Sequence, residues 1–177
     1  MRVRTIFDFS RDTRATAAVE MALVAPLLLV IMMGSAELGN YFMNEHSLLK
    51  AVRDGSRFAA RQSFTWYPNC SGDPDADNVV TPTKNIVMYG YLAGSAAGSG
   101  RLTPNISASD ISVTTQCFTG QVGGQTMTGI YDDRTNGAQI VTVSATVNYR
   151  SILATAFGFS GLNKKLNATS QAAVTGI

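Results

Sequence analysis

The sequence predicts an α+β fold. A long N-terminal helix crosses a membrane and continues outward into a small head of three to four antiparallel strands and a short helix. Three observations carry this prediction. Residues 17–43, AAVEMALVAPLLLVIMMGSAELGNYFM, hold no charge between Glu20 and Glu37. Between residues 41 and 60, apolar or small residues recur at 41, 42, 48, 49, 52, 55, 56, 59 and 60, a helical period. Further on, three runs alternate apolar and polar residues in the manner of half-buried strands.

The apolar stretch sets the organisation. At about 1.5 Å per residue, the segment from Glu20 to Glu37 spans about 25 Å, close to the hydrocarbon thickness of a bilayer. Charged residues make up 15% of the chain, below the roughly 25% of soluble domains, which fits partial residence in lipid. A net charge of +2 gives no electrostatic footprint for nucleic acid. Arg2, Arg4, Arg11 and Arg14 precede the apolar run against Asp8 and Asp12, so the N-terminus is expected in the cytoplasm and the remainder outside. An ordinary secretory leader would instead end at the small residues Gly34-Ser35-Ala36. Glu20 just before its apolar core, and Leu38, Tyr41, Phe42 and Met43 beyond the cut, speak against that reading.

The boundary at Arg14-Ala15-Thr16-Ala17-Ala18-Val19-Glu20 is more informative: a basic leader, a small residue, then a glutamate entering the apolar helix. This arrangement, with AAVEMALVAPLLLV, AELGNYF and AVRDGSRFAA following, resembles the TadE-like pseudopilins of the tight-adherence (Flp) pilus system. The resemblance covers residues 11 to about 62. Where that family usually has Gly, this chain has Ala15. The resemblance implies a type IV pilin-like lollipop, cleavage between Ala15 and Thr16 by a prepilin peptidase, and a role for Glu20 in axial register during assembly. An ionised carboxylate in hydrocarbon needs a partner, and the freed amine of Thr16, one helical turn away, would supply it.

The expected domains are a basic leader at 1–15, a transmembrane helix at 16–43, an amphipathic extension at 44–62 and a periplasmic head at 63–177. Ala18, Ala22 and Ala25, with Gly34 and Gly39, offer surfaces for close helix packing. Pro26 lacks an N–H and should kink the helix near Ala22. His46, the one histidine, falls on the polar side with no ligand partner at suitable spacing.

In the head, residues 64–82 read as loop. Asp73, Asp75 and Asp77 begin like a calcium loop, but Asn78 and Lys84 stand where Gly and Glu are required. Thr81-Pro82 predicts an N-cap and first-turn proline for a helix through Leu92, ending in the Gly/Ser-rich residues 94–100. Ile111, Val113, Thr115 and Cys117 share one strand face; Val141, Val143, Ala145, Val147 and Tyr149 another; Leu166, Ala168, Ser170, Ala172 and Val174 a third. Asn136-Gly137 predicts a hairpin turn from a strand near residues 129–132. The apolar residues 152–159 are expected either under the sheet or as an exposed subunit contact. Outside the inner membrane, Cys70 and Cys117 are expected to form a disulfide in preference to two separate thiols.

These expectations converge on a minor pseudopilin with no cofactor and no enzymatic role. It would sit in the bacterial inner membrane and meet the prepilin peptidase, other pilin subunits and the Tad assembly machinery. It would act in pilus initiation and surface adhesion, with entry into an extracellular pilus as a further step. The alternative is an uncleaved single-pass periplasmic scaffold of the same machine. A membrane-tethered hydrolase using Asp73, Asp132 or Asp133 is the enzymatic alternative.

Overall fold

The computed structural model describes residues 13–68, 71–92, 106–118, 129–132, 137–158 and 164–176. The chain divides into two compact units, Met1–Asn40 and Tyr41–Ile177. One helix, α1 (Thr13–Ala60), runs through both.

In the first unit, α1 presents its apolar side chains outward: Val19, Met21, Leu23, Leu27, Leu28, Leu29, Val30, Ile31 and Met32 are all exposed. The helix from Thr16 to Ala60 is long and apolar enough to cross a membrane. Pro26 lies inside it; the proline has no N–H to return to the Ala22 carbonyl. Ser35 turns its hydroxyl back onto the Met32 carbonyl at 2.8 Å, which removes a lone polar group from an otherwise apolar surface.

In the second unit the same helix is amphipathic. Leu48, Ala51, Val52, Gly55, Ser56, Ala59 and Ala60 are buried, while His46, Lys50, Arg53, Asp54 and Arg57 are exposed. The buried positions follow the three-and-four spacing of one helical face. The last turn closes with three-residue bonds, Arg61 N–H to Phe58 O and Gln62 N–H to Ala59 O, both 3.1 Å.

Four strands, β1 (Ser71–Gly72), β2 (Ile111–Phe118), β3 (Ala138–Asn148) and β4 (Lys165–Ala173), form one antiparallel sheet in that order. Val143 lies between Val113 on β2 and Ser170 on β4. The predicted alternations hold: Ile111, Val113, Thr115, Val141, Val143, Ala145, Val147, Leu166 and Ala168 are buried. All but Thr115 join the core with Leu48, Val52 and Ala59 of α1. Fully burying each large aliphatic side chain contributes about 1.5–3 kcal/mol.

Several expectations need correction. The described residues of the segment 64–82 are not one loop. They hold a 3₁₀ turn (Phe64–Trp66), strand β1, and a π-helical turn (Ala76–Val80) leading into α2 (Thr81–Tyr89). The cap of that helical run is Asp75, whose carboxylate accepts from the N–H groups of Asp77 and Asn78; Thr81 already has helical dihedrals, so the N-cap lies earlier than its sequence signal. Pro82 does take an early helical position, and Gly90, at φ 78°, ends the helix before Leu92. A left-handed residue in that position is the ordinary stop for a helix.

The strand expected near residues 129–132 is instead a 3₁₀ turn, Gly129–Tyr131. β3 is flanked by β2 and β4 on its two sides, so the place beside β3 that a hairpin would need is already taken. Gly137 enters β3 at φ 74°, while Asn136 lies outside the described residues. The apolar segment from Ile152 is a short helix, α3 (Ile152–Phe157), capped by Ser151. Ile152 is exposed, and Leu153 and Ala154 are half-buried. Uniform burial under the sheet is therefore not observed; Phe159 lies outside the described residues.

Candidate functional site

Two regions bear on function: the apolar half of α1, and the join between α1 and the head. In the first, both Ala15 and Thr16 belong to the backbone of α1, which begins two residues earlier at Thr13. Glu20 is exposed on the same helix. It lies four residues after Thr16, one turn along the helix.

The packing residues do not form one surface. At about 100° per residue, Ala18, Ala22 and Ala25 lie within about 60° of one another and share a face. Gly34 falls on the opposite side and Gly39 to one flank. A Cβ built on Gly34 or Gly39 meets nothing within 4 Å, so nothing within this chain requires glycine there.

The join is built from groups that sequence reasoning passed over. Tyr67 is buried and donates its hydroxyl to the Ala59 carbonyl in the last turn of α1. Gln139 Nε2 donates to the Tyr67 carbonyl at 2.7 Å, linking this residue to β3. Thr175 N–H and Oγ1 both donate to the Ala60 carbonyl, at 2.7 and 3.2 Å. Ser56 and Ser170 hydroxyls meet at 2.8 Å. The bonds from Tyr67 and Thr175 supply partners to the Ala59 and Ala60 carbonyls at the end of α1, where a helix runs short of them. Gly55 is the close-approach point of α1 and α2: an added Cβ would lie 2.5 Å from Val87 Cγ2 and 3.4 Å from Thr83 Cγ2. The small residue inside the apolar stripe was the one sequence signal for this region.

The acidic segment is structural at its centre. Asp75 accepts from Asn78 N–H at 2.8 Å and Asp77 N–H at 3.1 Å. The backbone N–H of Asn78 is the chief cause that holds its carboxyl below the usual range, since hydrogen bonds to the charged form favour it. Asp73, Asp77 and Asp132 are exposed, and Asp133 lies outside the described residues. Among the described residues, no group of three or more His, Cys, Asp or Glu side chains could hold a metal ion.

Cys117 sits half-buried near the end of β2, and Cys70 lies outside the described residues. Ser71, the residue after Cys70, pairs with Gln116, the residue before Cys117.

The comparison with known families bears on the helix itself. Residues 15–57 match the TadE-like protein family. The TadE-like segment thus takes in Ala15, Glu20, the apolar run and the amphipathic turns as far as Arg57, and it suggests involvement in Tad pilus systems. The long apolar helix within it is consistent with a single-pass membrane anchor. No curated protein and no solved structure matches the chain.

Proposed function

We propose that this chain is a minor pseudopilin of a tight-adherence pilus, anchored in the inner membrane with its N-terminus in the cytoplasm and its head in the periplasm. The observation that carries this reading is the coincidence of the TadE-like match over residues 15–57 with an apolar helical surface that its own fold leaves exposed. Such a surface needs lipid or neighbouring helices around it. In this reading a prepilin peptidase cuts between Ala15 and Thr16, and the new amine at Thr16 neutralises Glu20 in its own chain or a neighbour. Ala18, Ala22 and Ala25 then give one face for close approach to another pilin subunit. The role is structural, in initiating the pilus and supporting surface adhesion, through contact with the Tad assembly machinery.

The same reading includes a disulfide between Cys70 and Cys117 in the oxidising periplasm. It is supported by the Ser71–Gln116 pairing beside both positions and by the absence of a free thiol at Cys117.

Intact mass and N-terminal sequencing of protein from piliated cells test the proposal. A chain beginning at Thr16 is expected. An intact leader in cells with functional fibres overturns it and leaves the uncleaved scaffold of the Tad machine. One observation favours that second reading: α1 already begins at Thr13, so the bond to be cut lies inside a helix. Glu20→Ala adds a further test, with normal membrane insertion and lost piliation expected; normal piliation removes the register role.

A further inference from the structure

The solvent side of α1 carries a row of basic residues. His46, Lys50, Arg53, Arg57 and Arg61 follow at spacings of four, three, four and four residues, and all are exposed. At about 100° and 1.5 Å per residue they fit within an arc of about 80° along about 22 Å of helix, Arg61 standing in the closing turn. Like charges one turn apart repel. Among the described residues, none of Lys50, Arg53, Arg57 and Arg61 makes an ion pair, and neither does Asp54, the acid on the same side. The helix dipole favours Arg57, in the last turn, but does not reach back to Lys50 or Arg53. The row points away from the core, because Leu48, Ala51, Val52 and Ala59 take the opposite face.

Complementary charge lies elsewhere on the same unit. Asp73 and Asp77 are exposed on either side of the capping residue Asp75. This segment is held beside the end of α1: Asp75 N–H donates to Trp66 O at 2.8 Å, and the adjoining Tyr67 bonds Ala59. Among the described residues, Asp73 and Asp77 make no ion pair with Arg57 or Arg61.

We infer that the basic ridge of one copy receives the Asp73/Asp77 segment of a second copy of this chain standing beside it in the same orientation. The two surfaces differ, so the contact is heterologous and leaves a free ridge at one end and free acids at the other. This goes beyond the proposed function and does not depend on cleavage at Ala15.

The test uses the full chain in neutral detergent micelles, with self-association followed by sedimentation. Association is expected at about 50 mM salt and weakens at least about tenfold at about 500 mM. Arg53→Glu with Arg57→Glu abolishes it, as does Asp73→Lys with Asp77→Lys, and a chain with all four reversals regains it. Circular dichroism establishes that each variant is folded; Arg53→Gln with Arg57→Gln, a milder change, weakens association without reversing charge. A monomeric wild-type chain at low salt, association indifferent to either reversal, or no recovery in the fourfold variant overturns the inference. So does ridge-dependent binding of added phosphatidylglycerol that dissolves the association, which assigns the ridge to lipid headgroups. N-terminal sequencing of the same sample separates these outcomes from failure of the pseudopilin reading.

Discussion

The Tyr67 hydroxyl donates to the Ala59 carbonyl, so a residue just past the long helix closes back on that helix's final turn. The same residue's carbonyl accepts from Gln139 on β3. Helix end and sheet are thereby tied through one buried side chain and its backbone.

Tyr67→Phe keeps the ring and removes the donor. The Ala59 carbonyl then keeps only the Gln62 N–H as a partner, and the head should lose about 0.5–1.5 kcal/mol in denaturant unfolding.

The alkaline limb of the same comparison has a defined sign. Burial pushes the Tyr67 phenol above its usual value near 10. The folded state then keeps a proton that the unfolded state gives up, so stability is intact below about pH 10 and falls as pH rises beyond it. Unfolding curves across that range should drop for the native chain and flatten for Tyr67→Phe.

Gly55→Ala drives a methyl against Val87 Cγ2, and a branched, fully buried valine cannot swing aside. A loss of about 1–3 kcal/mol is expected from the overpacking. Combining it with Val87→Ala should cost less than the sum of the two changes, a coupling that a double-mutant cycle reads directly.

Asp75→Ala removes the cap of the turn at Ala76–Val80. Because the folded-state pKa is lowered, this carboxylate's contribution is present above its unfolded value near 3.8 and vanishes as pH falls through the folded value. Thermal melts should show the variant less stable near neutrality, with the two curves converging in strong acid.

Cys117→Ser should destabilise the head by about 4 kcal/mol if the proposed pairing with Cys70 closes its loop of about 47 residues. Peptide mapping without reductant should find the two cysteines linked in the native chain. Finding both as free thiols removes the pairing.

Periodicity made the main elements legible. The stripe at 48, 52, 55, 56 and 59 and the alternation from Val141 to Val147 are local patterns created by burial on one side, and both hold in the structure. Glu20 and the alanines near it stand out by residue type in an apolar run, and their roles rest on the proposed function. The cap at Asp75 was hidden because Thr81-Pro82 carries a stronger start signal inside a helical run that had already begun. Residues 129–132 look strand-like, but a strand exists only where another can pair with it. Ser170 was legible only as a strand-face position, and Tyr67 and Thr175 gave no signal, since their partners at Ser56, Ala59 and Ala60 are fixed by tertiary contact.

The double bond from Thr175 to the Ala60 carbonyl has a mechanical consequence. Thr175 lies two residues past β4, which is zipped to β3 over nine residue pairs from Ala173 to Lys165. The end of α1 is thus anchored twice, by its covalent continuation at Arg61 and by a strand that cannot leave without opening its whole ladder with β3.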